Sequence, residues 1–200
     1  MTRGSYLTRT QILVILISLV LTEIASAQLA SRTKVLLVGG EYLGRDSKGN
    51  LVPGPLTKAL NHVRVSMEKS CTGSCEILGS GFQNSTGDRN SIAKMEGDIQ
   101  VLENLIRSGS NENVDGRLPL RANDQVLIQI SSHGQPPNPG ECGHEVEIGN
   151  SIYHTRDLKD LRDKLTAANV KVAIMDLSCY SGASSCLADE NACVISAANS

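Results

Sequence analysis

Three continuous apolar runs constrain this chain more than any other feature. They are Lys34-Val35-Leu36-Leu37-Val38-Gly39-Gly40, Val126-Leu127-Ile128-Gln129-Ile130 and Val172-Ala173-Ile174-Met175. Runs without polar alternation fit strands buried on both faces, as in a parallel sheet. Between them apolar residues recur at helical spacing: Leu56, Leu60, Val63 and Met67; then Ile92, Met95, Ile99, Leu102, Leu105 and Ile106; then Leu158, Leu161, Leu165 and Ala168. Strands alternating with amphipathic helices predict an α/β fold with a mainly parallel sheet flanked by helices on both faces. In such sheets functional groups gather beyond the carboxyl ends of the strands.

Finer expectations follow from turn and cap residues. Residues 41–54 are polar and rich in Gly and Pro, which predicts a loop. A weaker strand is expected over 75–82, and a helix from Asn90 or Ser91 to Gly109. The central strand covers 124–131, and 135–143, with its Pro and Gly residues, reads as a loop. A short strand is expected over 145–149, and a helix with Thr155 as N-cap follows it. A strand over 171–177, a helix over 181–187 and a last strand over 192–198 complete the chain.

The first residues belong to a different kind of segment. Arg3 and Arg9 precede a short apolar stretch from Ile12 to Leu21, and Ala25-Ser26-Ala27 follows. A basic start, a short apolar centre and small residues at the end predict a secretory signal peptide over 1–27. Export to the periplasm or beyond is therefore expected, with residues 28–200 forming one domain. The formal charge of −2 offers no electrostatic case for binding nucleic acid. No later segment is apolar enough for a stable membrane span. With no Trp and one Phe, the core must be built from aliphatic residues.

An exported chain can keep disulfides. There are six cysteines: Cys71, Cys75, Cys142, Cys179, Cys186 and Cys193. The preferred bridge is Cys186 with Cys193, and Cys71 with Cys75 is a second candidate. Sequence does not fix connectivity. If Cys179 stays a free thiol, at least one other cysteine must also be free or pair outside the chain. Cys142, His144 and His154 lie close together, but Cys-x-His is not a standard zinc spacing. They read better as loop residues, or with Cys142 in a disulfide, and no metal is expected.

Two phrases hang from the ends of the second and third runs. One is Ser131-Ser132-His133-Gly134. The other is Asp176-Leu177-Ser178-Cys179-Tyr180-Ser181-Gly182. A lone Cys at a strand end is usually a small buried hydrophobe. A Cys and a His at the ends of two strands joined by one helical crossover read instead as a nucleophile and its proton-transfer partner. A helix starting after Cys179 would favour the thiolate. The backbone N–H groups of Cys179 and Gly134 could face a developing oxyanion. Arg45, in the loop after the first run, is a candidate for touching substrate.

Together with the KVLLVGG opening and the closing Ala192-Cys193-Val194-Ile195-Ser196-Ala197-Ala198, these phrases resemble bacterial members of the caspase, metacaspase and legumain group of cysteine peptidases. The resemblance spans about Lys34 to Ser200. It implies a caspase-like three-layer sandwich and an endopeptidase with a Cys–His dyad and no cofactor. Carried over, Cys179 is the nucleophile, His133 protonates the departing amine, and Gly134 and Cys179 supply the oxyanion N–H groups. The substrate would be a peptide or protein. Many bacterial relatives carry an acid two residues before the nucleophile that helps to bind a basic substrate residue, which makes Asp176 a substrate-binding candidate; here, though, Leu177 holds that place and Asp176 lies one residue further back. Such a shift in an extended chain turns the carboxylate to the other face. The family's later strands would follow Ser200, and an exposed sheet edge there would allow a dimer. A second reading is a catalytically inert binding or scaffold module on the same fold.

Overall fold

The computed structural model describes residues 32–40, 42–49, 51–70, 75–78, 92–107, 116–149 and 151–197. The expected signal peptide lies outside them. The centre is a five-stranded sheet of β1 (Thr33–Gly39), β4 (Cys75–Leu78), β5 (Gln125–Ser131), β8 (Lys171–Asp176) and β9 (Ala192–Ser196), in the order β4-β1-β5-β8-β9. Every neighbouring pair is parallel.

The sheet is buried on both sides because consecutive β1 residues serve opposite layers. Val35 and Leu37 pack with Leu60, Val63 and Met67 of α1 (Pro55–Ser70). Leu36 and Val38 belong to the larger core with Met95, Leu102 and Leu105 of α2 (Ile92–Arg107) and Leu158, Leu161 and Leu165 of α3 (Leu158–Ala167). This period-two division gives three layers: α1, the sheet, then α2 with α3. The α/β expectation and the three helical stripes hold.

Several local expectations change. The 41–54 stretch contains an antiparallel hairpin of β2 (Tyr42–Arg45) and β3 (Leu51–Pro53). The short strand β6 (Glu145–Ile148) pairs with an unforeseen β7 (Ser151–His154). Thr155 is not an N-cap: it opens a 3-10 turn, Thr155–Asp157, capped by His154 Nδ1, which accepts from Arg156 N–H. The Thr155 hydroxyl is occupied elsewhere, accepting from His144 N–H. Residues Ser181–Leu187 form a 3-10 helix rather than an α-helix. Residues 79–82 of the expected β4 strand, and the end of α2 at Gly109, lie outside the described residues.

Ile128 sits at the centre of the sheet with no exposure, whereas Ile195 on the edge strand β9 is 53% exposed. Ile128→Ala is expected to destabilise the fold by about 2–5 kcal/mol, and Ile195→Ala by no more than about 0.5 kcal/mol. Urea unfolding of the two variants checks this; equal effects would contradict the layer assignment.

Candidate active site

Parallel pairing of β5 with β8 sets two chain ends level. Ile130 lies opposite Asp176, and Leu177 N–H donates to the Ile130 carbonyl at 2.9 Å. His133 and Cys179 each follow three residues beyond this matched pair. The chains continue side by side: a Cβ placed on Gly134 would stand 1.9 Å from the Cys179 carbonyl oxygen and 3.2 Å from its nitrogen. Only glycine permits that approach. The expected meeting of the two phrases at one sheet edge is therefore present in the backbone.

The His133 side is tied to β6. Gln135 N–H donates to Glu145 O at 2.8 Å and Glu147 N–H to His133 O at 3.0 Å. The Ser132 hydroxyl donates to Glu147 O. Gly134 lies opposite Val146 in the non-hydrogen-bonded position of this short ladder, so its N–H turns away from β6. Neither this N–H nor that of Cys179 finds a hydrogen-bond partner among the described residues. Cys179 is an exposed free thiol, and His133 is exposed as well. Tyr180 follows at φ 63°, a left-handed conformation that is costly for a bulky residue.

Beneath the Cys179 turn lies a polar cluster that sequence reading missed. His144, Thr155, Asp176, Ser178 and Ser184 are all buried. The Asp176 carboxylate accepts from Ser178 N–H at 3.1 Å, from the Ser178 hydroxyl, and from the Ser184 hydroxyl at 2.7 Å. His144 Nε2 is 2.8 Å from Ser178 Oγ. Because the Ser178 proton goes to Asp176, His144 Nε2 must be the donor of that bond. Its Nδ1 then accepts from Thr155, 3.4 Å away. Donor counting thus puts a proton on Nε2, and burial favours the neutral ring, in which Nδ1 is the acceptor. Burial pushes the His144 pKa down, the Asp176 charge works against this, and His154 adds to the lowering.

This cluster corrects the reading of Asp176 as a substrate contact. The strand alternates, so Asp176 shares the buried face with Val172 and Ile174, and its carboxylate is turned inward. Arg45 closes β2 opposite Leu51, in the hairpin after β1.

The preferred bridge also changes. Cys186 is bonded to Cys142, with a Cα–Cα distance of 5.7 Å, and Cys193 is free. Gly143 N–H donates to Ala183 O at 2.9 Å, which brings the 135–143 loop against the 3-10 helix. Cys193 sits instead within β9, opposite Ala173. Cys75 is disulfide-bonded, and Cys71 lies outside the described residues. Cys142 is therefore not available as a metal ligand. The Cys142–Cys186 bond joins the segment after His133 to the segment after Cys179. Arg162 holds the far end of the 3-10 helix, donating to Leu187 O at 2.9 Å and to Asp189 at 3.0 Å.

No protein-family model matches this chain, and no curated protein matches it either. No helix among the described residues is long and apolar enough to cross a membrane.

Two outcomes are expected. Replacing Cys142 and Cys186 together by Ser should lower stability by about 2–4 kcal/mol, read by urea unfolding; no change would show that the staple is dispensable. The depressed His144 pKa means that the unfolded chain binds a proton more readily. Stability is then full above the ordinary histidine value of 6.5 and falls as pH drops below it. Urea midpoints at pH 7.5 and pH 5.5 should fall further for the natural chain than for His144→Gln; parallel falls would place the titration elsewhere.

Proposed function

We propose that this protein is an exported cysteine endopeptidase acting through Cys179 and His133. The observation that supports this most strongly is the contact of Gly134 with the Cys179 peptide. With it, an accessible thiol, a neighbouring histidine residue and two N–H groups that have no partner among the described residues lie at one sheet edge. The order of His133 before Cys179, and the resemblance of the two phrases to those of the caspase, metacaspase and legumain group, support the same chemistry.

In the proposed reaction the Cys179 thiolate attacks the peptide carbonyl carbon, and the carbonyl oxygen becomes an oxyanion received by the Gly134 and Cys179 N–H groups. The C–N bond breaks as the His133 imidazolium gives its proton to the leaving amine, which leaves a thioester on Cys179. Water then attacks the thioester while His133 takes its proton. The C–S bond breaks, releasing the carboxylic acid product and restoring the thiolate.

The basic, apolar and small-residue pattern of 1–27 supports export, and the Cys142–Cys186 disulfide suits an oxidising compartment. The outer edge of β9 is the surface through which two copies would pair.

A panel of peptides with Arg, Lys, Asn or Asp before the scissile bond tests the proposal. Cleavage of at least one is expected, with loss of roughly 1,000-fold or more in kcat for Cys179→Ala and His133→Ala. Cleavage that survives Cys179→Ala would overturn the nucleophile assignment. Absence of cleavage across the panel, with the chain folded, would favour an inert binding module.

A further inference from the structure

We propose that His144, acting through Ser178 and Asp176, positions the Cys179 turn; this rests on the peptidase reading above. The cluster resembles a Ser-His-Asp constellation only in composition. Ser178 is 2% exposed and gives its proton to Asp176 rather than to the imidazole. It cannot meet a substrate. What it can do is fix a backbone.

The turn needs fixing. Tyr180 holds a left-handed conformation immediately after the nucleophile, and such strain persists only where the surroundings over-determine it. Asp176 supplies part of that constraint, gripping the chain at Ser178, just before Cys179, and at Ser184, in the 3-10 helix after it. His144 supplies the rest from another element. It immediately precedes β6, and its backbone is locked to the far end of the same hairpin: its N–H donates to Thr155 Oγ1 at 2.9 Å and its carbonyl accepts from Thr155 N–H at 2.9 Å. The same hairpin carries Val146, opposite Gly134. The His144–Ser178 bond is thus a direct side-chain link between the strand pair that places the Gly134 N–H and the turn that places the Cys179 N–H. The distance between those two donors decides how well an oxyanion is held, and small misplacements are costly. His144 is a positioning residue and touches no reacting atom.

The test compares His144→Leu, which fills the space without a donor, with His144→Gln, whose amide can donate to Ser178 and accept from Thr155. For a cleaved peptide, His144→Leu should lose about 100-fold in kcat with KM within about twofold, and His144→Gln should recover most of the loss. Unchanged kcat in folded His144→Leu, or equal losses in both variants, would overturn the proposal. If His144→Leu does not fold, Ser178→Ala replaces it, with the same kcat loss expected and an unchanged kcat overturning. If the natural chain cleaves no peptide, the peptidase reading fails on its own. Alkylation of Cys179 by iodoacetamide then reads the turn: a rate altered in His144→Leu and restored in His144→Gln supports positioning, and identical rates overturn it.

Discussion

The register between β5 and β8 governs the carboxyl edge of the sheet. With Ile130 opposite Asp176, the next three residues of each strand run out together, and His133-Gly134 meets Cys179. A slip of one residue would exchange the faces of β8. Asp176 would then leave the interior, and Val172 and Ile174 would leave the core that α2 and α3 cover. The aliphatic pattern of β5 and β8 therefore does more than stabilise a sheet: it sets where the candidate nucleophile stands.

Burying the Asp176 carboxylate demands compensation, because an unpaired interior charge is strongly unfavourable. Here three donors from Ser178 and Ser184 surround it, and the Ser178 hydroxyl passes the network to His144 and Thr155. The four residues joined to Asp176 in this way lie on different parts of the edge: Ser178 in the turn, Ser184 in the 3-10 helix, and His144 and Thr155 at the two ends of the β6–β7 hairpin. Satisfying one buried charge therefore ties together the segments that flank Cys179 and Gly134. The Cys142–Cys186 bond fastens the same two segments covalently.

Much of the fold was legible because burial on two faces writes itself as unbroken apolar runs, and helices write themselves as stripes. Leu60, Leu102 and Leu165 all fell on the buried stripe of their helix. The meeting of His133-Gly134 with Cys179 was legible for the same reason, since parallel strands bring their carboxyl ends to one edge. The disulfide was not, because Cys142 and Cys186 are 44 residues apart and only the folded loop brings them together. Thr155 read as a cap because local pattern cannot show that its hydroxyl is claimed by His144. Asp176 carried a usable signal: its spacing from Cys179 turned it away from the substrate side. What it turned toward required His144, which sequence placed only in a loop. The β2–β3 hairpin stayed hidden because Gly and Pro spacing there resembles an open loop.

Cys179 and Cys193 are both exposed free thiols in the same chain, so each controls for the other. The most direct measurement is the rate at which iodoacetamide alkylates the two, followed by peptide mass mapping at pH 7.5, for the natural chain and for His133→Ala. A nucleophile beside its histidine should react faster than Cys193 by on the order of tenfold or more, and that advantage should vanish in His133→Ala. Equal rates at the two thiols, or an advantage indifferent to His133, would contradict a catalytic pair at this edge.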